Sequence, residues 1–161
     1  MILTPHVLVG AAIGLKFKNP VLIFLTAFLS HFILDTIPHT EYDIAVLKEK
    51  PSKKFIKPAI KILIDLIIGL GIVFAASRML SRMETFNINN LYLGVFSAIL
   101  PDGLTVLYWL CWQMRKNKNG GFKKIAHFCI PHPKKIYHKF GIATQFIISL
   151  LAILSFFYLS V

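Results

Sequence analysis

The chain has 161 residues, 56% of them apolar and only 16% charged, and its mean hydropathy is +0.67. Soluble domains carry about 25% charged residues, and an 18.2 kDa globule has no core large enough to hide this apolar excess; disorder, which requires low hydrophobicity, is excluded as well. The net charge of +11 points to a membrane face and not to nucleic acid, because the bases lie between apolar runs and no aromatic-interleaved binding motif accompanies them.

A spanning helix needs about 20 mostly apolar residues. Five runs approach that length and predict an all-α, polytopic membrane helix bundle in a single domain over 1–161: apolar helices at about 3–17, 20–38, 58–80, 89–113 and 141–161, with basic loops at 39–57 and 114–140. The first run is short enough to be a half-span or a tilted helix. Thr4 reads as its N-cap, with Pro5 at the first helical position. Neither a basic leader nor a small-residue cleavage site precedes or follows it, so it is expected to stay in the mature protein. The fourth run contains Pro101-Asp102, and a helix break is expected there. The fifth carries no charged residue between Gly141 and Val161.

The bases are distributed unevenly. One face receives Lys48, Lys50, Lys53, Lys54, Lys57 and Lys61, together with Arg115, Lys116, Lys118, Lys123, Lys124, Lys134, Lys135 and Lys139; the other receives only Lys16, Lys18, Arg78 and Arg82. The positive-inside rule then predicts a cell-membrane protein with its N-terminus cytoplasmic and its C-terminus outside, and the basic face is suited to anionic lipid headgroups. No other protein partner is legible. Cys111 and Cys129 fall at or near this reducing face and read as ordinary thiols.

Ionisable groups inside apolar helices are expensive and by default functional. His31 and Asp35 in the second run, Asp65 in the third and Asp102 in the fourth all fall in the cytoplasmic half, with His6 opening the first helix there and His39 and His138 at the interface. His31 and Asp35 are four residues apart and project from one helix face. Imidazole and carboxylate on one face are ligands for zinc or another divalent metal. The competing readings are local: a His–Asp hydrogen bond that pins helices, an Asp65–Lys61 pair, and Asp102 as a helix cap. A divalent cation, expected to be zinc, would neutralise several carboxylates that are otherwise costly in hydrocarbon. The expected ligand set is His31, Asp35, His6, His39, Asp102, Asp65 and His138, with Asp102 or Asp65 as the general base. His127 and His132 read as interfacial. Ser30 points to a different face from its neighbour His31, so a covalent serine mechanism is not expected.

The segment Thr4-Pro5-His6, the stretch Ser30-His31-Phe32-Ile33-Leu34-Asp35-Thr36-Ile37-Pro38-His39 and Leu100-Pro101-Asp102 resemble the YdjM-like family of small membrane-bound metal-dependent hydrolases. That family is distantly similar to zinc-dependent phospholipase C and P1-type nucleases. The resemblance implies that His31-x-x-x-Asp35 is the His-x-x-x-Asp ligand motif, that His6 is the early helix-borne histidine, and that Asp102 belongs to the Pro-Asp motif. The family's Pro-Asp-x-Asp-His and Gly-His-Arg-Gly-x-x-His-Ser motifs are absent.

The functional expectation is a metal-dependent hydrolase of the phosphoesterase type, acting at the cytoplasmic interface on an anionic lipid or phosphate ester. The alternative is a non-catalytic membrane protein (an ion or proton conductor, or a helix-bundle scaffold or assembly factor) whose buried His and Asp pair only with each other. Convergence of the side chains discriminates the two.

Overall fold

The computed structural model describes residues 2–40, 56–82, 86–114 and 138–159, and among these the only regular elements are five helices. They are α1 (Leu3–Lys16), α2 (Pro20–Thr36), α3 (Ile56–Leu80), α4 (Ile88–Met114) and α5 (His138–Leu159). The basic loops, with Cys129, His127 and His132, lie almost entirely outside the described residues.

Three helices contain stretches long and apolar enough to cross a membrane: Ala59–Leu80 in α3, Ile88–Leu107 in α4 and Phe140–Tyr158 in α5. At about 1.5 Å per residue, the 14 residues of α1 and the 17 of α2 fall short of a hydrocarbon layer about 30 Å thick. The protein is thus a membrane helical bundle in which two shorter apolar helices accompany three full-length ones.

The shortest helix is the centre. α1 packs against each of the other four, and α2 also packs against α4. Residues 4–8 of α1 are buried without interruption, as expected of a helix enclosed on all sides. Small residues make this enclosure feasible. A Cβ on Gly10 would lie 2.5 Å from the Gly94 carbonyl oxygen and 2.7 Å from Ala98 Cβ, and one on Gly14 would overlap the Asn90 backbone. Gly10-x3-Gly14 therefore forms the small-residue face on which α4 crosses α1 at backbone contact. Val7, Leu8 and Ala11 fill the remaining space with Val73 and Leu80 of α3, Leu91 and Val95 of α4, and Ala152 and Phe156 of α5.

Local chemistry sets the helix ends. Asn19 caps α2, its Oδ1 accepting from the amides of Val21 and Leu22 at 2.9 and 3.3 Å, with Pro20 at the first helical position. The same device opens α4, where Asn87 Oδ1 accepts from Asn89 and Asn90. α2 stops at Thr36, before Pro38, because the residue ahead of a proline is disfavoured in helical geometry. Two expectations change. The N-cap of α1 is Ile2, which supplies no side-chain hydrogen bond; Thr4 is inside the first turn. And α4 runs unbroken through Pro101. Proline costs one ladder bond, here that of the Ser97 carbonyl, but helices in a bundle tolerate this where other groups serve the backbone. Around Pro101, Ser97 Oγ donates to Leu93 O, Thr105 Oγ1 to Pro101 O, and a side chain from α2 to Ala98 O.

The helices bring distant residues to one end. α1 and α3 run the same way, since Asp65 meets Thr4 and Gly69 meets Thr4 and Val7; α4 runs opposite, since Gly94 meets Gly10 and Asn90 meets Gly14. The start of α5 joins the same end as the start of α1: Thr144 Oγ1 donates to Pro38 O, and Gln145 Nε2 donates to Thr40 O at 2.7 Å.

Candidate metal centre

α2 buries one stripe, Ile23, Ala27, His31 and Leu34, while Val21, Leu25, Leu29 and Ile33 on its other side stay exposed. His31 is therefore turned inward by the same spacing that turns the apolar residues inward, and Asp35 follows one turn later. α1 delivers His6, which is fully buried. α4 delivers Asp102 from the turn after Ala98.

These four side chains converge. His6 Nε2 lies 3.4 Å from Asp35 Oδ1, His31 Nε2 lies 3.3 Å from Asp35 Oδ2, and the same His31 atom lies 3.8 Å from Asp102 Oδ1. One ligand atom each from His6, His31 and Asp102 falls within 4.8 Å of the others. The two imidazole rings stack, with centroids 4.3 Å apart and planes inclined by 26°.

The spacing is informative. Charge-assisted N–H···O bonds are about 2.7–2.9 Å long, shorter than all three distances. Atoms that share a tetrahedral ion at about 2.0–2.2 Å lie about 3.3–3.6 Å from one another. The two separations to Asp35, 3.4 and 3.3 Å to its two oxygens, fall in that range, and the 3.8 Å from His31 to Asp102 is longer.

Protonation follows from one contact. His31 Nδ1 lies 2.8 Å from the Ala98 carbonyl oxygen. A carbonyl can only accept, so Nδ1 carries the hydrogen, and Nε2 is the ring atom that faces Asp35 and Asp102. A ligand histidine typically donates its other nitrogen's hydrogen in this way. His6 is held more loosely: among the described residues its buried Nδ1 has no hydrogen-bond partner, and its Nε2 meets only the long contact to Asp35 at 3.4 Å. One ligand atom each of His6, His31 and Asp102 lies close enough to the others to share a divalent ion, with Asp35 beside both histidines.

The site is open on one side. The side chains of His6 and His31 are 0% and 4% exposed, that of Asp35 22%, and that of Asp102 43%. Asp102 is the rim.

The other expected ligands are placed differently. Asp65 is not in the group. Its Oδ2 accepts from the Thr4 amide at 3.0 Å, and Thr4 Oγ1 lies 2.6 Å from its Oδ1 and 2.9 Å from its carbonyl oxygen. The physical reason is that the first turn of α1 offers an amide its own N-cap does not bind, and α3 passes close enough to supply the acceptor. His39 is outside the group too, its Nδ1–H directed to Ile37 O at 2.7 Å. His138 begins α5, and its side chain lies outside the described residues. Ser30 Oγ donates to Ala27 O on its own helix and is not poised toward His31. Sequence reasoning missed the Ala98 carbonyl, which carries no side-chain signal, and Gly10, Gly14 and Gly94, whose spacing was legible.

No protein-family model, curated protein or solved structure matches the chain.

Proposed function

We propose that the protein is a membrane-embedded, metal-dependent hydrolase acting on an anionic substrate, a lipid headgroup ester or other phosphate ester, at the face where the basic segments leave the bundle. The observation that carries this reading is the arrangement around His31: a ring fixed at Nδ1 by Ala98, with Nε2 facing Asp35 and Asp102 and with ligand atoms of His6, His31 and Asp102 all within 4.8 Å of one another. The resemblance of the His31–Asp35 and Pro101-Asp102 segments to the YdjM-like hydrolases points the same way.

His6, His31 and Asp35 would hold a divalent cation from the buried side, and the chemistry it would supply there is Lewis acidity toward a phosphoryl or acyl oxygen. Asp102, half exposed at the rim, is placed either to complete the ligand set or to accept a proton from an incoming water. The lysines of 41–55 and the bases of 115–137 raise the local concentration of anions at that face. With the basic face cytoplasmic, the N-terminus is inside and the C-terminus outside.

A proton or ion conductor needs ionisable groups through the thickness of the bundle. Among the described residues the buried ionisable groups are His6 and His31, both at one end, which speaks for a localised site.

The test is hydrolysis by the full chain reconstituted with Zn²⁺ or Mn²⁺, assayed on a soluble phosphodiester and on vesicles containing anionic phospholipid. Activity that chelation abolishes, and that is absent from His31→Ala and Asp35→Ala, is the expected result. Turnover that survives both substitutions refutes the assignment.

A further inference from the structure

The carboxylate of Asp65 sits in an apolar helix, outside the four-residue cluster, and among the described residues its hydrogen bonds go to Thr4. The geometry points to a positioning role: Asp65 and Thr4 form a clamp that caps α1 from the neighbouring helix and fixes His6 in the metal site. The inference rests on the proposed metal reading for its consequence, but the clamp itself is independent of any ion.

The first turn of α1 is poorly served by its own sequence. Ile2, at the N-cap, has no side-chain acceptor, and Pro5 has no amide hydrogen. The Thr4 amide is met by Asp65 Oδ2 at 3.0 Å. The single Thr4 hydroxyl hydrogen is shared between Oδ1 and the Asp65 carbonyl, at 2.6 and 2.9 Å. Both carboxylate oxygens are thereby used on one residue, and the negative charge lies at the positive end of the α1 dipole, where it is stabilised. One turn further along α3, Gly69 lets the helices approach: a Cβ there would lie 3.3 Å from both Thr4 Cα and Val7 Cβ.

The consequence falls on His6, two residues after Thr4. His6 is fully buried and no hydrogen bond among the described residues orients its ring. Its direction is therefore set by the backbone of the first turn, by stacking on His31 and by Asp35 Oδ1, 3.4 Å from Nε2. Anchoring that turn to α3 does for His6 what the Ala98 carbonyl does for His31. Asp65 acts through Thr4 and α1, and is a positioning residue, not a ligand.

The experiment compares wild type, Thr4→Val, Thr4→Ser and Asp65→Asn as full-length protein in detergent, with His31→Ala as the control for cation binding. Two readouts are taken: Co²⁺ titration followed by its d–d absorption bands, and the rates at which His6 and His31 are carbethoxylated in metal-free protein. Loss of an outer partner of a ligand costs about 10–100-fold in metal affinity. Thr4→Val and Asp65→Asn are expected to weaken Co²⁺ binding by about tenfold or more, to alter the bands, and to speed modification of His6 without that of His31. Thr4→Ser, which keeps the hydroxyl, restores both. The inference is overturned if both variants leave His6 reactivity and Co²⁺ binding unchanged. It is equally overturned if His6 and His31 become reactive together, or if serine fails to rescue. If wild type and His31→Ala alike take up no Co²⁺, the metal reading fails by itself, and the His6 rates still decide whether the clamp exists.

Discussion

Replacing Gly10 by alanine tests whether backbone contact between α1 and α4 builds the site. The new Cβ would lie 2.5 Å from Gly94 O and 2.7 Å from Ala98 Cβ, where ordinary contact begins at 3.4 Å. The groups it meets are a main-chain carbonyl and a β-carbon, neither of which can rotate away. The helices must part by about 0.9 Å, and a radial gap of 0.5–1 Å forfeits roughly a quarter to a half of each dispersion contact across the seam. Overpacking of this kind costs about 1–3 kcal/mol. His6 lies one turn before Gly10 on the same helix and moves with it, away from Asp102. Gly71 is the internal control: a Cβ there meets nothing within 4 Å, so Gly71→Ala should be neutral or stabilising by up to about 1 kcal/mol from helix propensity alone. Thermal and denaturant unfolding in detergent, read by circular dichroism, gives the stability difference, and Zn²⁺ titration gives the effect on the site. Destabilisation with weakened binding in Gly10→Ala, and neither in Gly71→Ala, is expected. Equal behaviour of the two variants refutes the close-packing argument.

Other outcomes follow from the same geometry. Metal-free Asp35→Ala removes the carboxylate that approaches both histidines at 3.3–3.4 Å; the variant should keep its helical content but lose tight Zn²⁺ binding, and unimpaired titration would remove Asp35 from the site. Nitrogen-15 spectra of imidazole-labelled protein should show His31 protonated at Nδ1, where it donates to Ala98 O; an unprotonated Nδ1 contradicts the arrangement. Reporter fusions should place the 115–137 segment in the cytoplasm and the C-terminus outside, as the lysine and arginine distribution requires, and a cytoplasmic C-terminus would reverse the topology. Pro101→Ala restores a donor for the Ser97 carbonyl and should leave the helical content of α4 unchanged, as circular dichroism would show, because that helix is already continuous.

The helices were legible because hydropathy is a strong signal over 17–25 residues. Their observed bounds differ from the expected ones by at most three residues, at the start of α5. His31 and Asp35 were legible for a local reason, a four-residue spacing on a helix with one buried stripe. Their meeting with His6 and Asp102 depended on the shared end of the bundle, which connectivity through alternating helices supplies. What sequence could not give was the use of backbone groups. Asp65 looked like a ligand because an isolated carboxylate in hydrocarbon needs a partner; the partner was the unserved amide and hydroxyl of Thr4, 61 positions away. The expected break at Pro101 did not occur: α4 continues through it with the loss of one ladder bond, and the next carbonyl, that of Ala98, is met by His31, 67 positions away. The central place of α1 was hidden by its length, although Gly10-x3-Gly14 marked it as a helix made for close packing.

The central claim is that His6, His31, Asp35 and Asp102 hold a divalent cation. Its most direct test is the metal content and Zn²⁺ affinity of the purified full-length protein, measured by elemental analysis and competitive titration beside His31→Ala and Asp102→Ala of verified helical content. The account predicts stoichiometric metal in wild type, lost in His31→Ala and weakened at least tenfold in Asp102→Ala. Wild-type protein that takes up no divalent metal, or variants that retain it undiminished, would contradict the account.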